Sequence, residues 1–183
     1  MAKEIEIEKK YKVRKIPGNI NSYEHKEIEQ SYLNRGGSPI RLRKFTKGNE
    51  SRCVLSKKVR NEEDASIQCT ETNIELPEEV YEELLKAKEG RTLKKTRYLI
   101  PLADGLKVEL DVFHDFLEGV CIAEIEYRSL EQANNYCIPN WLEEITTEAK
   151  ELSNNYMATQ AKDRQEYIEY IVEKREENEI EKE

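Results

Sequence analysis

The stretch EIEIEKKYKV, residues 4–13, has two unlike faces when it is read as a β-strand. Charged side chains occupy every second position, and apolar side chains fill the positions between them except at Lys9. Successive side chains of a strand point to opposite sides, so this period of two predicts a strand with one charged and one apolar face. Pro17 and Gly18 then predict the end of the strand.

The same alternation recurs along the chain. Further strands are predicted at 38–47, 51–60, 67–76, 93–100, 106–113 and 120–127. Gly48-Asn49 and Asp104-Gly105 lie between consecutive segments and are typical of hairpin turns. Pro77 predicts the start of a helix. Helical segments are predicted at 78–88, 129–135 and 140–152, and the polar residues 19–31 predict a short helix or a loop.

One face of these strands carries charged residues two positions apart, and both signs of charge occur. Two architectures fit this pattern: an open sheet whose charged face meets water, and a closed barrel with a charged lumen. Carboxylates suit hard divalent cations, and the planar fork of arginine suits phosphate. The charged positions therefore favour phosphoryl-transfer chemistry, with exposed cross-strand ladders of Lys and Glu as the alternative.

Composition excludes several other classes of protein. The 183 residues carry a net charge of −8, and 37% of them are charged. An acidic chain is not typical of non-specific nucleic-acid binding, so no nucleic-acid partner is expected. The four cysteines form no CxxC pair, which argues against a zinc site. With no recognisable signal peptide or membrane-length apolar run, we expect a cytoplasmic protein that does not contact a membrane.

The order of the charged residues resembles that of the CYTH family, the triphosphate tunnel metalloenzymes. EIEKK at 6–10 is similar to the ExExK motif that opens the family. It is followed in family order by RLR at 41–43, LSKK at 55–58, KTRY at 95–98, ELD at 109–111 and EIE at 124–126. The resemblance covers about residues 4–156.

The resemblance implies an α+β fold: a closed eight-stranded antiparallel β-barrel, open at both ends, with flanking helices. It implies that triphosphate oxygens are bound by Lys10, Arg41, Arg43, Lys58, Lys95 and Arg97. It implies that Mg²⁺ or Mn²⁺ is held by Glu6, Glu8, Glu109, Asp111, Glu124 and Glu126. Catalysis is expected from Glu6, Glu8, Lys10 and Lys58. The strand near 69–75 departs from the family, with Cys69 in place of an arginine and Asn73 in place of an acid, which puts the roles of Glu71 and Glu75 in doubt.

Within that family the chain most resembles the small bacterial inorganic triphosphatases. The predicted function is therefore metal-dependent hydrolysis of tripolyphosphate to pyrophosphate and phosphate. The alternatives are a class IV adenylyl cyclase, a thiamine or nucleoside triphosphatase, and a non-catalytic module that binds polyphosphate or nucleotides. A metal-linked carboxylate is the preferred candidate for the base that activates the attacking water. Tyr32 beside a lysine is the alternative, although its interpretation as a packed strand residue is favoured over that role.

The tail differs from the rest in composition. Residues 157–183 combine a dense run of charges with apolar positions at Tyr167, Ile168 and Ile171. This pattern predicts a charged amphipathic helix docked on a barrel domain of residues 1–156, with a partner-binding or dimerising helix as the alternative. The expected partner is a small triphosphate, and the chain is expected to be a monomer or a homodimer.

Overall fold

The fold is given by a computed structural model that describes residues 2–35, 38–60, 68–145 and 150–172. Within these ranges nine strands form one antiparallel sheet: β1 (Ala2–Val13), β2 (Glu24–Tyr32), β3 (Ile40–Lys47), β4 (Glu50–Arg60), β5 (Gln68–Leu76), β6 (Glu89–Pro101), β7 (Lys107–Phe113), β8 (Cys121–Glu126) and β9 (Leu142–Glu144). The α-helices are α1 (Glu78–Leu85), α2 (Leu130–Asn135) and α3 (Asn154–Thr159). No helix of the described ranges is long and apolar enough to cross a membrane.

The sheet closes into the predicted eight-stranded barrel. Its strands run in the order β5-β4-β3-β2-β6-β7-β8-β1, and β1 then pairs with β5, where Glu6 lies opposite Cys69. The short β9 adds to the far end of β1 outside the ring. The predicted hairpin turns are confirmed, since Gly48-Asn49 joins β3 to β4 with Gly48 at a φ of +59°. Because the sheet closes, each of these eight strands has a neighbouring strand on both sides over at least part of its length.

Two secondary-structure predictions are wrong. Residues 19–31 were expected to be helix or loop, yet they hold only a 3₁₀ turn at Ile20–Ser22 before β2 begins. The helix expected at 140–152 is instead β9 followed by a 3₁₀ turn at Lys150–Leu152, with 146–149 outside the described residues. In both places pairing with strands distant in the sequence overrides the local preference.

Apolar side chains cover the outside of the barrel. Helix α2 and the segment leading to β9 pack on the outer faces of β1, β7 and β8, around buried residues such as Tyr11, Leu110 and Ile125. Helix α1 packs through Tyr81 on Leu42 of β3 and on β4. The apolar positions of the alternating strands therefore face outward under the helices, and the charged positions face the lumen.

One end of the barrel is closed, although the resemblance implied a tunnel open at both ends. Lumenal positions at this end carry the apolar residues Tyr32, Leu93, Phe113 and Ile122. The C-terminal segment packs directly against them with Leu152, Met157, Ala158, Ala161 and Tyr167, all buried. The lumen is thus a blind cavity that opens at one end.

The segment that closes this end is not one continuous helix. Helix α3 ends at Thr159, and a 3₁₀ segment, Arg164–Tyr170, follows after a short break. The predicted domain boundary after residue 156 falls inside α3, and the rest of the predicted tail helix, 173–183, lies outside the described residues.

A glycine allows this segment to dock on β6. Gly90 lies in β6 with a φ of +70°, and a Cβ there would stand 2.2 Å from the carbonyl oxygen of Ala158. The neighbouring Arg91 donates a hydrogen bond to the carbonyl of Ala161. The backbones of β6 and α3 approach so closely that only glycine fits between them.

Candidate active site

The structure brings the predicted site residues of both charge signs into the lumen. They occupy alternate positions of their strands, so closure of the sheet turns all of them toward one space. Those residues are Glu6, Glu8, Lys10, Arg41, Arg43, Lys58, Lys95, Arg97, Glu109, Asp111, Glu124 and Glu126. Most of these side chains form ion pairs across the strands, in three groups.

The first group surrounds Arg97 of β6. The guanidinium donates from Nε to Oδ1 of Asp111 at 2.6 Å and from Nη2 to Oε2 of Glu124 at 2.8 Å, and it also binds Glu109. Lys95, one lumenal position deeper, donates to Oδ2 of Asp111 at 2.5 Å. These acids neutralise and orient the bases while the guanidinium fork stays in the lumen.

Lys95 is the most deeply buried base of the site. Its side chain is 1% exposed, and its Nζ lies 5.3 Å from the centroid of the Phe113 ring at the closed end. Burial lowers the pKa of Lys95 to about 8, and the adjacent Arg97 adds to this effect while Asp111 opposes it. Such an ammonium at the blind end can bind an anionic oxygen or release a proton near neutral pH.

The second group is built on Glu71 of β5. Its carboxylate accepts from Nη2 of Arg41 at 2.8 Å and from Nη2 of Arg43 at 2.6 Å. Arg43 also donates to Oγ of Ser56 at 2.7 Å and to Oδ1 of Asn73 at 3.1 Å. The buried Nε of Arg43 has no hydrogen-bond partner within the described part of the chain. An unpaired donor in a charged cavity is typical of a place where a ligand oxygen binds.

Glu71, whose role the sequence left in doubt, is therefore expected to be a major contributor to stability. Burial opposes ionisation, but Arg41 and Arg43 outweigh it and lower the pKa of Glu71 from 4.5 to about 2. A depressed carboxyl pKa stabilises the folded state above pH 4.5, and this contribution is lost as the pH falls toward 2. Glu71→Gln should thus lower the unfolding free energy at neutral pH by about 3 kcal/mol, because two buried guanidinium groups lose their partner.

Urea unfolding from neutral pH down to about pH 3 measures this effect. The difference between the wild type and Glu71→Gln should shrink on acidification. Glu75→Gln is the matched control on the same strand, since Glu75 is exposed and pairs with the equally exposed Arg52. This change should alter stability by less than about 0.5 kcal/mol. A constant difference across the pH range would contradict the assigned pKa of Glu71.

The third group joins β1 to β4. Lys58 binds Oε2 of Glu6 at 2.9 Å and Oε1 of Glu8 at 2.7 Å. Although burial opposes it, the charges of Glu8 and Glu6 raise the pKa of Lys58. The thiol of Cys69, which stands where the family pattern has an arginine, lies 3.7 Å from Oε2 of Glu6. On the other side of β1, Lys10 binds Glu124, so this strand links the groups.

The carboxylates nearest the open end carry unbalanced negative charge. Burial raises the pKa of Glu126, and the neighbouring charges of Glu6, Glu109 and Glu8 raise it further. Carboxylates that repel one another in this way are stabilised by a divalent cation between them, and their oxygen atoms are the ligands that Mg²⁺ and Mn²⁺ prefer. Within the described residues, no group of three or more Asp, Glu, His or Cys side chains is arranged closely enough to hold a metal ion. The donor chemistry of these carboxylates nevertheless fits such a cation.

The structure also places lumenal residues that the sequence did not predict. They lie on β2, most of which was expected to be a helix or a loop. Lys26 faces the lumen opposite Arg97, and Gln30 is buried and donates from Nε2 to the hydroxyl of Tyr32 at 2.6 Å. Tyr32 packs at the closed end, in agreement with its interpretation as a packed strand residue. A period of two does run through Lys26, Gln30 and Tyr32, but polar residues on both faces hid it.

Comparison with known proteins agrees with this geometry. The inorganic triphosphatase of Nitrosomonas europaea is 32% identical over 154 residues, which cover 84% of this chain and 96% of that protein. A crystal structure of an inorganic triphosphatase superposes with a TM-score of 0.57 at 30% identity, covering 84% of this chain and 93% of that one. The chain therefore belongs to the inorganic triphosphatase family. No model in a scan of protein families matches it.

A more distant structure shares the fold. It is a Hippeastrum protein described as a putative adenylyl cyclase with a dominant triphosphatase activity. It superposes with a TM-score of 0.50 at 16% identity, covering 70% of this chain and 82% of that one. At this identity the likeness extends to the barrel fold alone.

Proposed function

We propose that the protein hydrolyses inorganic triphosphate to pyrophosphate and phosphate inside the barrel, with Mg²⁺ or Mn²⁺. The oxygen of a water molecule attacks a terminal phosphorus atom, the bridging P–O bond of that phosphoryl group breaks, and pyrophosphate leaves with the bridging oxygen. The water proton is released to a base or to solvent.

The observation that carries the proposal is a blind cavity into which bases converge from several strands. Lys95 stands at its closed end, with Arg97 one lumenal position further out. The unpaired Nε of Arg43 offers a further donor. A compact polyanion can be surrounded by these bases, which would hold it and stabilise charge on the transferring phosphoryl group. The 32% identity to an inorganic triphosphatase supports the same reaction.

The metal belongs to the proposal as well. The cation would be held near the open end by Glu6, Glu8, Glu109 and Glu126. Asp111 and Glu124, which were also predicted to bind it, would first have to move away from the bases that they now contact. When bound, the cation supplies neutralisation of phosphate oxygens and a lower pKa for coordinated water. The chain's own part is to keep these acids near the phosphate-binding bases, which the pairing of Lys58 with Glu6 and Glu8 supports.

Three finer assignments accompany this function. We place the chain in the CYTH family of triphosphate tunnel metalloenzymes, on the ordered motifs of its strands. A cytoplasmic location is supported by the free thiols of Cys53, Cys69 and Cys137. A small triphosphate is the proposed partner, and a monomer or homodimer stays a prediction.

Phosphate release from tripolyphosphate, ATP and thiamine triphosphate tests the proposal. Each substrate is incubated with Mg²⁺, with Mn²⁺ and with chelator. Strong release from tripolyphosphate that the chelator abolishes is the expected result. Formation of cyclic AMP and pyrophosphate from ATP would identify a cyclase instead. Tight tripolyphosphate binding without release from any substrate would leave a binding module.

A further inference from the structure

Lys26 differs from the bases of the predicted site. It lies on a lumenal position of β2, directly opposite Arg97, and its side chain is half-buried. Lys95, Arg97 and Lys58 all bind carboxylates, yet Lys26 forms no ion pair among the described residues. Its Nζ instead lies 5.0 Å from the centroid of the Phe45 ring. This ammonium therefore lies against an aromatic ring and has no carboxylate counter-ion in the part of the chain that the structure describes.

The charges around Lys26 are mostly positive. Burial lowers the pKa of Lys26, and Arg97, Lys107 and Arg43 lower it further, while Glu109 is the main opposing carboxylate. A cation held among cations raises the local potential and attracts an anion. Lys26 lies opposite Arg97, on the open side of Lys95.

The barrel allows a bound phosphate chain to extend in one direction only. The apolar residues packed behind Lys95 block the closed end. Exposure of the bases rises toward the other end, from 1% at Lys95 to 13% at Arg97 and 51% at Lys107. Lys26 also borders an open cleft of about 460 Å³ between β2 and the β3–β4 turn. A chain longer than the blind end holds therefore extends toward the open end, where Lys26 is one of the lumenal bases.

From this geometry we propose that Lys26 forms an outer subsite for an additional phosphate group, so that the enzyme binds linear oligophosphates of four or more phosphates. Arg97 and Lys107 border this subsite, and the Phe45 ring lies beside the ammonium group of Lys26. The inference rests on the proposed function, since it assumes that the inner bases hold a triphosphate unit.

The test measures binding without turnover. Dissociation constants of linear tripolyphosphate and tetrapolyphosphate are determined by calorimetry in the presence of chelator, for the wild type and for Lys26→Met. Methionine keeps the length of the side chain and removes its charge, and no ion pair is broken. The constant for tetrapolyphosphate should rise about tenfold, whereas that for tripolyphosphate should change less than about twofold.

The matched control is Lys57→Met, which removes an exposed lysine from the outer face of β4 and should leave both constants unchanged. An equal rise for both ligands, or no rise for either, would overturn the outer subsite. Length-selective binding in a wild type that releases no phosphate from tripolyphosphate would support the subsite and overturn hydrolysis. Hydrolysis of tripolyphosphate by the wild type, together with an equal effect of Lys26→Met on both ligands, would support hydrolysis and overturn the subsite.

Discussion

Tripolyphosphate hydrolysis should fall by about a thousandfold in a Glu6→Gln/Glu8→Gln variant. Both carboxylates face the lumen beside Glu126, where negative charge is in excess. Glutamine keeps their shape but lacks the charge that a divalent cation needs. The same change leaves the ammonium group of Lys58 without its two carboxylate partners. Because an unpaired positive charge repels a cation, half-maximal activity should also require a much higher Mg²⁺ concentration. Steady-state phosphate release over a range of Mg²⁺ concentrations measures both effects.

Glu143→Gln/Glu144→Gln is the control for this variant. It removes the same two charges from β9, outside the barrel, where Glu143 pairs with exposed Arg14. Activity should stay within about twofold of the wild type. Hydrolysis within tenfold of the wild type in the Glu6/Glu8 variant would mean that the metal is held by other residues. Thermal unfolding of both variants separates a lost site from a lost fold.

Lys95→Met should reduce tripolyphosphate hydrolysis by about a hundredfold or more while the fold stays intact. The buried ammonium is the cation nearest the closed end, where it would stabilise charge on the innermost phosphoryl group. Its removal does not leave a buried charge unpaired, because Asp111 still accepts from Nε and Nη2 of Arg97. Methionine also fills the same volume beside Phe113. The melting temperature should therefore change little, even though activity is lost.

The neighbouring Lys94 provides a matched control. It points outward, is about half exposed and pairs with Asp115 at 3.2 Å. Lys94→Met should keep both activity and melting temperature. If Lys95→Met retained wild-type kcat and raised only KM, Lys95 would bind the substrate in its ground state and contribute nothing specific to the transition state.

The strand pattern of the barrel could be predicted because it is local. Alternation at Glu6, Glu8 and Lys10 requires only that successive side chains of a strand point to opposite sides. The same rule placed Lys95 with Arg97, and Glu109 with Asp111, on one face. The same alternation would also fit an open sheet with one charged and one apolar face. Only the pairing of β1 with β5 excludes that alternative.

Strands β2 and β9 could not be predicted in this way. Residues 24–32 are polar on both faces, and they form a strand because β3 and β6 supply backbone partners on either side. Leu142–Glu144 is too short to show a period, and it pairs with β1 across more than 120 positions of the chain. Lys26 was missed as a lumenal base for the same reason.

The sequence alone thus determined which residues could share a charged lumen, since side-chain alternation is a property of the strand itself. Tertiary structure decided which acid neutralises which base, as in the choice of Glu71 by Arg41 and Arg43. It also decided that one end of the lumen is closed, through the contact of Gly90 with α3. Both outcomes depend on residues that are distant in sequence and meet only when the barrel closes and the C-terminal segment packs on it, because burial and ion pairing are properties of the assembled structure.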